Sequence, residues 1–513
     1  MQIVDILIFV AYCLLVLFTG LFVSRSKNKD AGDYFLAGRG LAWWAIGASI
    51  IASNISAEQF VGMSGSGYAV GLAIAIYEWI AALGLIIVAK FFIPVFLKKK
   101  IFTMPQFLEE RFDGRVKTVM AFFWLLVFVF INLTSILYLG ALTIEKVVGI
   151  PLWMGVVGLS LFALVYSVYG GLKAVALTDV IQVVFLVGGG LLTTGIALNL
   201  IGGGEGIVKG FSNLYAQAQD KFHLILDKSN PGYTDLPGIR VILGGLWVAN
   251  LYYWGCNQYI IQRALAARSV REAQYGMAFA GFIKLFVPLI VVIPGIAVFA
   301  LHAPIDKPDE AYPWLLGNLL PTGVKGLAFA ALTAAIVSSL ASMMNSISTI
   351  FTMDIYRSFV HKKAEQNELV RVGRWVSVLS LLIAALIAPM LTGLNQAFQY
   401  IQEFTGFISP GALAIFLAGI FWRRATSNGA LAAAAGSFVF SAAFKFALPA
   451  MPFLDRMGIV FLLCCGLIAT FGKRGSVASS VPLTKMSFKT TPLFNILSVI
   501  IIAIFVLFYV LWW

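Results

Sequence analysis

Apolar residues run along this chain in blocks of about twenty or more, and a block of about 20 residues crosses roughly 30 Å of hydrocarbon as a helix. Fourteen such blocks stand out. The first seven are 3–24, 41–66, 69–97, 118–145, 151–169, 176–200 and 239–259. The others are 273–301, 322–354, 372–391, 394–422, 427–448, 457–472 and 491–512. The pattern predicts an all-α integral membrane protein with 14 transmembrane helices. The first block opens on the acidic MQIVD, exceeds the length of a signal core and is followed directly by SRSKNK. It reads as an uncleaved anchor with its N-terminus outside.

Two blocks break the apolar pattern at corresponding places. In 41–66, "ASNISAEQF" brings Asn54, Ser56, Glu58 and Gln59 within six residues. In 239–259, "VANLYYWGCNQY" mixes polar, small and aromatic residues in the same manner. Backbone leaves the helical ladder at membrane depth only where protein or a water-filled cavity satisfies it. Unwinding near Asn54 to Ala57 would therefore free carbonyls for a cation and expose half-helix ends to polar ligands. Five blocks (41–200), the longest outer loop (201–238) and five more blocks (239–422) frame these two breaks. An odd number of spans per half gives the halves opposite orientations, which predicts an inverted repeat. Residues 1–40 add a helix and a cytoplasmic loop before this core, and 423–513 add three helices after it.

A third polar feature is the stripe Ala335, Ser338, Ser339, Ser342, Asn345 and Ser346, recurring at three- and four-residue steps and so lying on one helix face. Such stripes usually serve as packing seams. The adjacent hydroxyls of Ser338 and Ser339 also offer the neutral oxygens that a hard monovalent cation such as Na⁺ takes. Glu78, Asp179 and Lys284 stand inside apolar spans, where an ionisable residue needs a partner. Glu78 and Lys284 are expected to pair and to offer acceptors and donors to a hydroxyl-rich ligand.

Composition agrees: 60% of residues are hydrophobic, 12% are charged and the mean hydropathy is +0.92. The fourteen-span topology places 25 of the 36 Lys and Arg on the cytoplasmic side, among them Arg25, Lys27, Lys29, Arg263, Lys473, Arg474 and Lys485. The net charge of +13 thus reflects orientation in the bilayer and not nucleic-acid binding. An even span count puts both termini outside an inner (plasma) membrane. The four cysteines lack metal-ligand spacing and read as packing residues. No nucleophile–base pair, metal motif or phosphate loop points to an enzyme. No appended domain or repeated pore filter points to a sensor or channel.

Several long segments in order carry a resemblance: "DYFLAGRGLAWWAIGASIIASNISAEQFVGMSGSGYAVG", "YSVYGGLKAVALTDVIQ", "GGLWVANLYYWGCNQYIIQRALAARS", "FAALTAAIVSSLASMMNSISTIFTMDIYR" and "QAFQYIQEFTGFISPGALAIFLAGIFW". On them the chain resembles the sodium/solute symporter family, and within it the bacterial sodium/galactose and sodium/glucose cotransporters. The resemblance implies a LeuT-type core of two inverted five-helix repeats, with sodium as coupling ion and a monosaccharide moving with it by alternating access. It implies a sodium site of backbone oxygens of Ala52 and Ile55, the Ala335 carbonyl and the Ser338 and Ser339 hydroxyls, with Asp179 on the sodium exit path. It implies sugar contacts from Gln59, Glu78, Asn250, Lys284, Gln402 and Ser342. Tyr253 would close the inner side, with Asn54 as its expected hydrogen-bond partner, and Met63, Tyr77 and Phe398 the outer. Ala81 stands where close sugar transporters can carry Ser, and Leu177 where Trp is common. The alternative is a symporter for another small polar solute, such as an inositol, a sialic acid or an amino acid. A carboxylate substrate usually calls for Arg or a half-helix N-terminus. No Arg is read in the core spans away from their ends, which favours a neutral sugar or polyol.

Overall fold

The computed structural model describes residues 2–24, 30–394, 396–472 and 487–513. Of the basic residues named above, Arg25, Lys27, Lys29, Lys473, Arg474 and Lys485 lie outside the described residues. Everything described is helix, turn or loop apart from one isolated parallel bridge between Leu41 and Ala267.

Among the described residues, ten helices are long and apolar enough to cross a membrane, or eleven when the bent pair Ala397–Thr405 and Ser409–Phe421 is taken as one span. This is fewer than fourteen, and the reason is physical. Length and composition pass over helices that break or stop early, and Trp43–Asn54, Gly245–Gly255 and Leu152–Val165 are of that kind. The first of these ends at Ile55 (φ −76°, ψ 91°), and the chain resumes as a wide π turn, Glu58–Met63, leading into Ser64–Val70. The second ends at Gly255 and resumes at Gln258–Leu265, which the Asn257 side chain caps by accepting from Tyr259 N–H at 3.1 Å. Both helices thus break inside the segments where polar residues crowd. A third interruption was not expected: block 394–422 bends by 46° between Thr405 and Ser409. Conversely, blocks 151–169 and 176–200 form one long run, Leu152–Ile201, turned at Gly171 (φ 62°). A Cβ on Gly171 would lie 2.6 Å from the Tyr34 carbonyl, so glycine is required there on two counts.

Burial sorts the helices into a core and a rim. In Val324–Val360, 94% of the apolar window is buried, whereas the figure is 22% for Ile3–Gly20 and 17% for Pro492–Leu511. The first faces protein on all sides; the other two present Leu7, Phe18, Ile496 and Val510 outward, as lipid-facing helices do. Val324–Ile350 packs along Leu152–Ile201 and meets Trp43–Asn54. Val270–Lys284 packs on both Trp43–Asn54 and Ile76–Phe91. Glycines allow some of these approaches to be backbone to backbone. A Cβ on Gly295 would lie 2.0 Å from the Ser64 carbonyl, and one on Gly245 1.9 Å from the Leu454 carbonyl.

The Gly295 contact seats Val287–Ala300 against the second half of the first broken helix, Ser64–Val70. Gly295→Ala forces the two backbones apart, and overpacking of this kind costs about 1–3 kcal/mol. Thermal unfolding of the purified protein is expected to show a clear fall in Tm. An unchanged Tm would mean that the two helices slide apart freely.

Candidate functional site

The break at Ile55–Ala57 is stabilised by its own side chains. Ser56 N–H and Ser56 Oγ both donate to Gln59 Oε1, at 3.0 and 3.1 Å, and Glu58 N–H donates to Ser56 Oγ at 3.0 Å. Gln59 N–H turns to the Ser56 carbonyl at 3.2 Å. The carbonyls of Ala52, Asn54 and Ile55 lose their helical donors as a result, since they would ordinarily receive from the N–H groups of Ser56, Glu58 and Gln59. Those of Ala52 and Ile55 are the two backbone oxygens expected to hold a cation.

The serine stripe meets this break directly. Ser339 Oγ donates to the Ser53 carbonyl at 2.9 Å, and Ser53 Oγ lies 3.0 Å from Ser342 Oγ. The Tyr259 hydroxyl, just past the second break, donates to the same Ser53 carbonyl. Ser338 and Ser49 both donate to the Asp179 carboxylate. The freed carbonyls, Ala335, Ser338, Ser339 and Asp179 are all buried, and the hydroxyls keep lone pairs for a cation after donating their protons.

Two expectations need correction here. Arg263, counted with the cytoplasmic residues, is fully buried: it donates to Ser49 Oγ at 3.2 Å, to Ser342 Oγ and to the Tyr259 carbonyl. Ser49 bridges it to Asp179, and this local counter-charge is what lets a guanidinium sit inside the fold. Ser342, expected at the sugar, is not on the cavity wall. Its hydroxyl serves Ser53 and Arg263, because its face of the helix turns toward the polar cluster around Asp179.

The cavity itself lies between the two breaks and the 405–409 bend. Its wall includes Asn54, Gln59, Met63, Tyr77, Glu78, Asn250, Tyr253, Phe398 and Gln402, all expected from the sequence. Glu58, Trp254, Thr405, Gly406, Ser409 and Met457 also line it and were missed. A signal existed for Glu58, which belongs to the polar run itself, and for Trp254, four residues after Asn250. Trp254 Nε1–H donates to Asn250 Oδ1 at 3.1 Å, and Asn250 Nδ2 donates to the Leu246 carbonyl at 3.1 Å. No periodicity marks the 405–409 bend.

Lys284 stands one layer behind the wall. Its ammonium donates to Glu78 Oε2 and Asn54 Oδ1 and lies 5.4 Å from the Trp254 ring. Asn54 Nδ2 in turn donates to the Tyr253 hydroxyl at 3.0 Å. A chain of contacts therefore runs from the buried ion pair through the first break to the tyrosine at the second.

On the other side Tyr77 and Phe398 meet edge to face, with centroids 5.2 Å apart at 84°. Phe398 rides on Ala397–Thr405, whose first N–H donates to Asp309 Oδ2, on the connection after Val287–Ala300, at 2.8 Å. Burial pushes the Asp309 carboxyl up to about 7, against the opposing pull of that N–H and of Lys307.

Residues 34–436 match the model of the sodium:solute symporter family. A sodium/glucose cotransporter of Vibrio parahaemolyticus is 52% identical, over 99% of this chain and 98% of its own length. A sodium/myo-inositol cotransporter 2 of Oryctolagus cuniculus is 34% identical, over 83% of this chain and 67% of its own. Among solved structures, a substrate-bound, outward-open Na⁺-coupled sialic acid symporter superposes with a TM-score of 0.81 at 24% identity. The match covers 91% of this chain and 97% of that one, a likeness of fold.

Removing one partner of a buried ion pair leaves the other charge uncompensated, at about 3–5 kcal/mol. Glu78→Gln is therefore expected to lower thermal stability strongly, and the double variant Glu78→Gln/Lys284→Met to recover most of the loss. A double variant no more stable than Glu78→Gln would show that the pair contributes through something other than charge.

Proposed function

The chain belongs to the sodium:solute symporter family, and we propose that it couples inward sodium movement to uptake of a monosaccharide, galactose or glucose, by alternating access. The observation that carries this reading is the wall of the cavity. It joins neutral amides, an ion-paired carboxylate and two sets of aromatic rings at the meeting point of two broken helices. Such a wall suits a ring of hydroxyls with an apolar C–H face. None of the lining residues is Arg, Lys or His, so a carboxylate substrate would find no cation on the wall. An inositol shares the hydroxyl chemistry of a sugar and is the second reading.

In this proposal sodium is bound by the carbonyls of Ala52, Ile55 and Ala335 and the hydroxyls of Ser338 and Ser339. The ion ties the first broken helix to the serine stripe, which sets Asn54 and Gln59 at the cavity before sugar arrives. Glu78, Gln59, Asn250 and Gln402 take sugar hydroxyls, with Lys284 acting from behind Glu78. Tyr253 covers the inner side, and Met63, Tyr77 and Phe398 the outer. A sugar hydroxyl competing for Asn54, which stands on the wall, loosens its bond to Tyr253 and so links occupancy to opening inward. Asp179 receives the departing ion. Fourteen spans, with 41–200 and 239–422 as inverted repeats and both termini outside a plasma membrane, complete the reading.

Sodium-driven uptake of radiolabelled galactose and glucose into proteoliposomes, with unlabelled competitors including myo-inositol, tests the whole. Accumulation that ignores the sodium gradient would overturn the coupling, and preferential inhibition by the inositol would favour the second reading. Within the same assay, Ser338→Ala and Ser339→Ala each remove a neutral oxygen. Each is expected to raise the sodium concentration for half-maximal uptake roughly fivefold to tenfold. Unchanged sodium dependence in both would reduce the stripe to a packing seam. Tyr253→Phe keeps the ring and loses only the Asn54 bond, so uptake is expected to fall in the order wild type, Phe, Ala. Equal sugar affinity in Tyr253→Ala and wild type would rule out a covering ring.

A further inference from the structure

Glu58 stands on the cavity wall with a carboxylate that no donor reaches. Among the described residues its backbone N–H bonds Ser56 Oγ, but its side chain accepts no hydrogen bond, and Oε1 is buried without a partner. The wall holds a second carboxylate, Glu78, and the ammonium beside them is already committed. Lys284 donates to Glu78 and to Asn54. The wall thus holds one acidic group more than the protein's own cations and donors pair. At membrane depth an uncompensated carboxylate is costly, and the space that would hold its partner is the space the substrate occupies.

Resting on the sugar site proposed above, we propose that Glu58 is a direct substrate ligand and makes the cavity accept protonated amino sugars, hexoses bearing an ammonium in place of one hydroxyl. A neutral sugar offers Glu58 a single O–H. An ammonium offers up to three N–H donors and a full countercharge in a desolvated site, a stronger interaction than a neutral hydrogen bond. N-Acetylation removes that charge and adds bulk, so the N-acetyl sugar loses the advantage. Glu58 is held in place by the break itself. Its N–H is tied to Ser56, and the π turn it begins returns to the wall at Met63. The residue that terminates the unwound segment therefore also sets which charge the site tolerates.

The test is calorimetric binding of galactose, galactosamine and N-acetylgalactosamine to the purified protein in saturating sodium, at a pH that keeps the amine protonated. Wild type, Glu58→Gln and Glu58→Asp are compared. In wild type, galactosamine is expected to bind at least as tightly as galactose and more tightly than N-acetylgalactosamine. In Glu58→Gln the ratio of galactosamine to galactose affinity is expected to fall by about tenfold, and Glu58→Asp, which keeps the charge, is expected to retain part of it. Because the readout is a ratio, a general folding defect does not imitate it. A wild-type protein that binds galactosamine no better than its N-acetyl derivative overturns the assignment, as does an unchanged ratio in Glu58→Gln. Wild type that binds galactosamine but no neutral hexose would uphold Glu58 and sink the neutral-sugar reading instead.

Discussion

Backbone polar groups inside a bilayer must find partners within the protein, and the rest of this structure follows from how that demand is met at Ile55–Ala57. A helix carried through would have satisfied every carbonyl and left nothing for an ion. The Ser56 and Gln59 side chains instead take over as local caps, accepting from the N–H groups of Glu58 and Ser56. The carbonyls those N–H groups leave are acceptors, which are the groups a cation needs. The Ser53 carbonyl, one of the groups at the edge of the break, is claimed by Ser339 and Tyr259 from two other helices. The break is thereby the joint at which three elements meet.

Charge is handled by the same economy of partners. Lys284 is buried but serves two acceptors, and Asn54 passes that contact on to Tyr253. Arg263 is buried one layer away, joined to Asp179 through Ser49. The two cations thus anchor two separate polar clusters, one behind the cavity and one beneath the break, and the segment from Ser49 to Asn54 belongs to both. Movement of that short stretch alters both clusters together, which is the structural requirement for coupling an ion to a solute.

The periphery has a different task. Ile3–Ser24 and Pro492–Leu511 expose large apolar side chains and contribute nothing to the cavity wall. The helix Phe453–Thr470 contributes Met457 to that wall, and its Arg456 binds Glu403 on Ala397–Thr405 at 2.6 Å, so it also braces the helix that carries Gln402 and Phe398.

The sequence by itself determined the class of protein, the apolar spans and both places where a polar run breaks a helix. These depend on local composition against a fixed bilayer thickness, and a polar run at membrane depth has few permitted outcomes. It also singled out Glu78, Lys284 and Asn54, since intramembrane charge and polarity are conspicuous one residue at a time, whereas Tyr253 was picked from its neighbour Tyr252 only by the family resemblance. Only the tertiary structure decided direction: that Ser342 turns away from the cavity, that Arg263 is enclosed, that Glu58 lacks a partner and that Trp254 holds Asn250. A helix face read from spacing leaves its neighbours unnamed, and whether a polar atom is satisfied depends on which other helix arrives beside it. The bend at 405–409 had a local signal that apolar periodicity passes over. Gly406 at the end of one helix and Pro410 in the first turn of the next mark a place to stop and restart, but the angle and what it faces depend on the neighbouring helices.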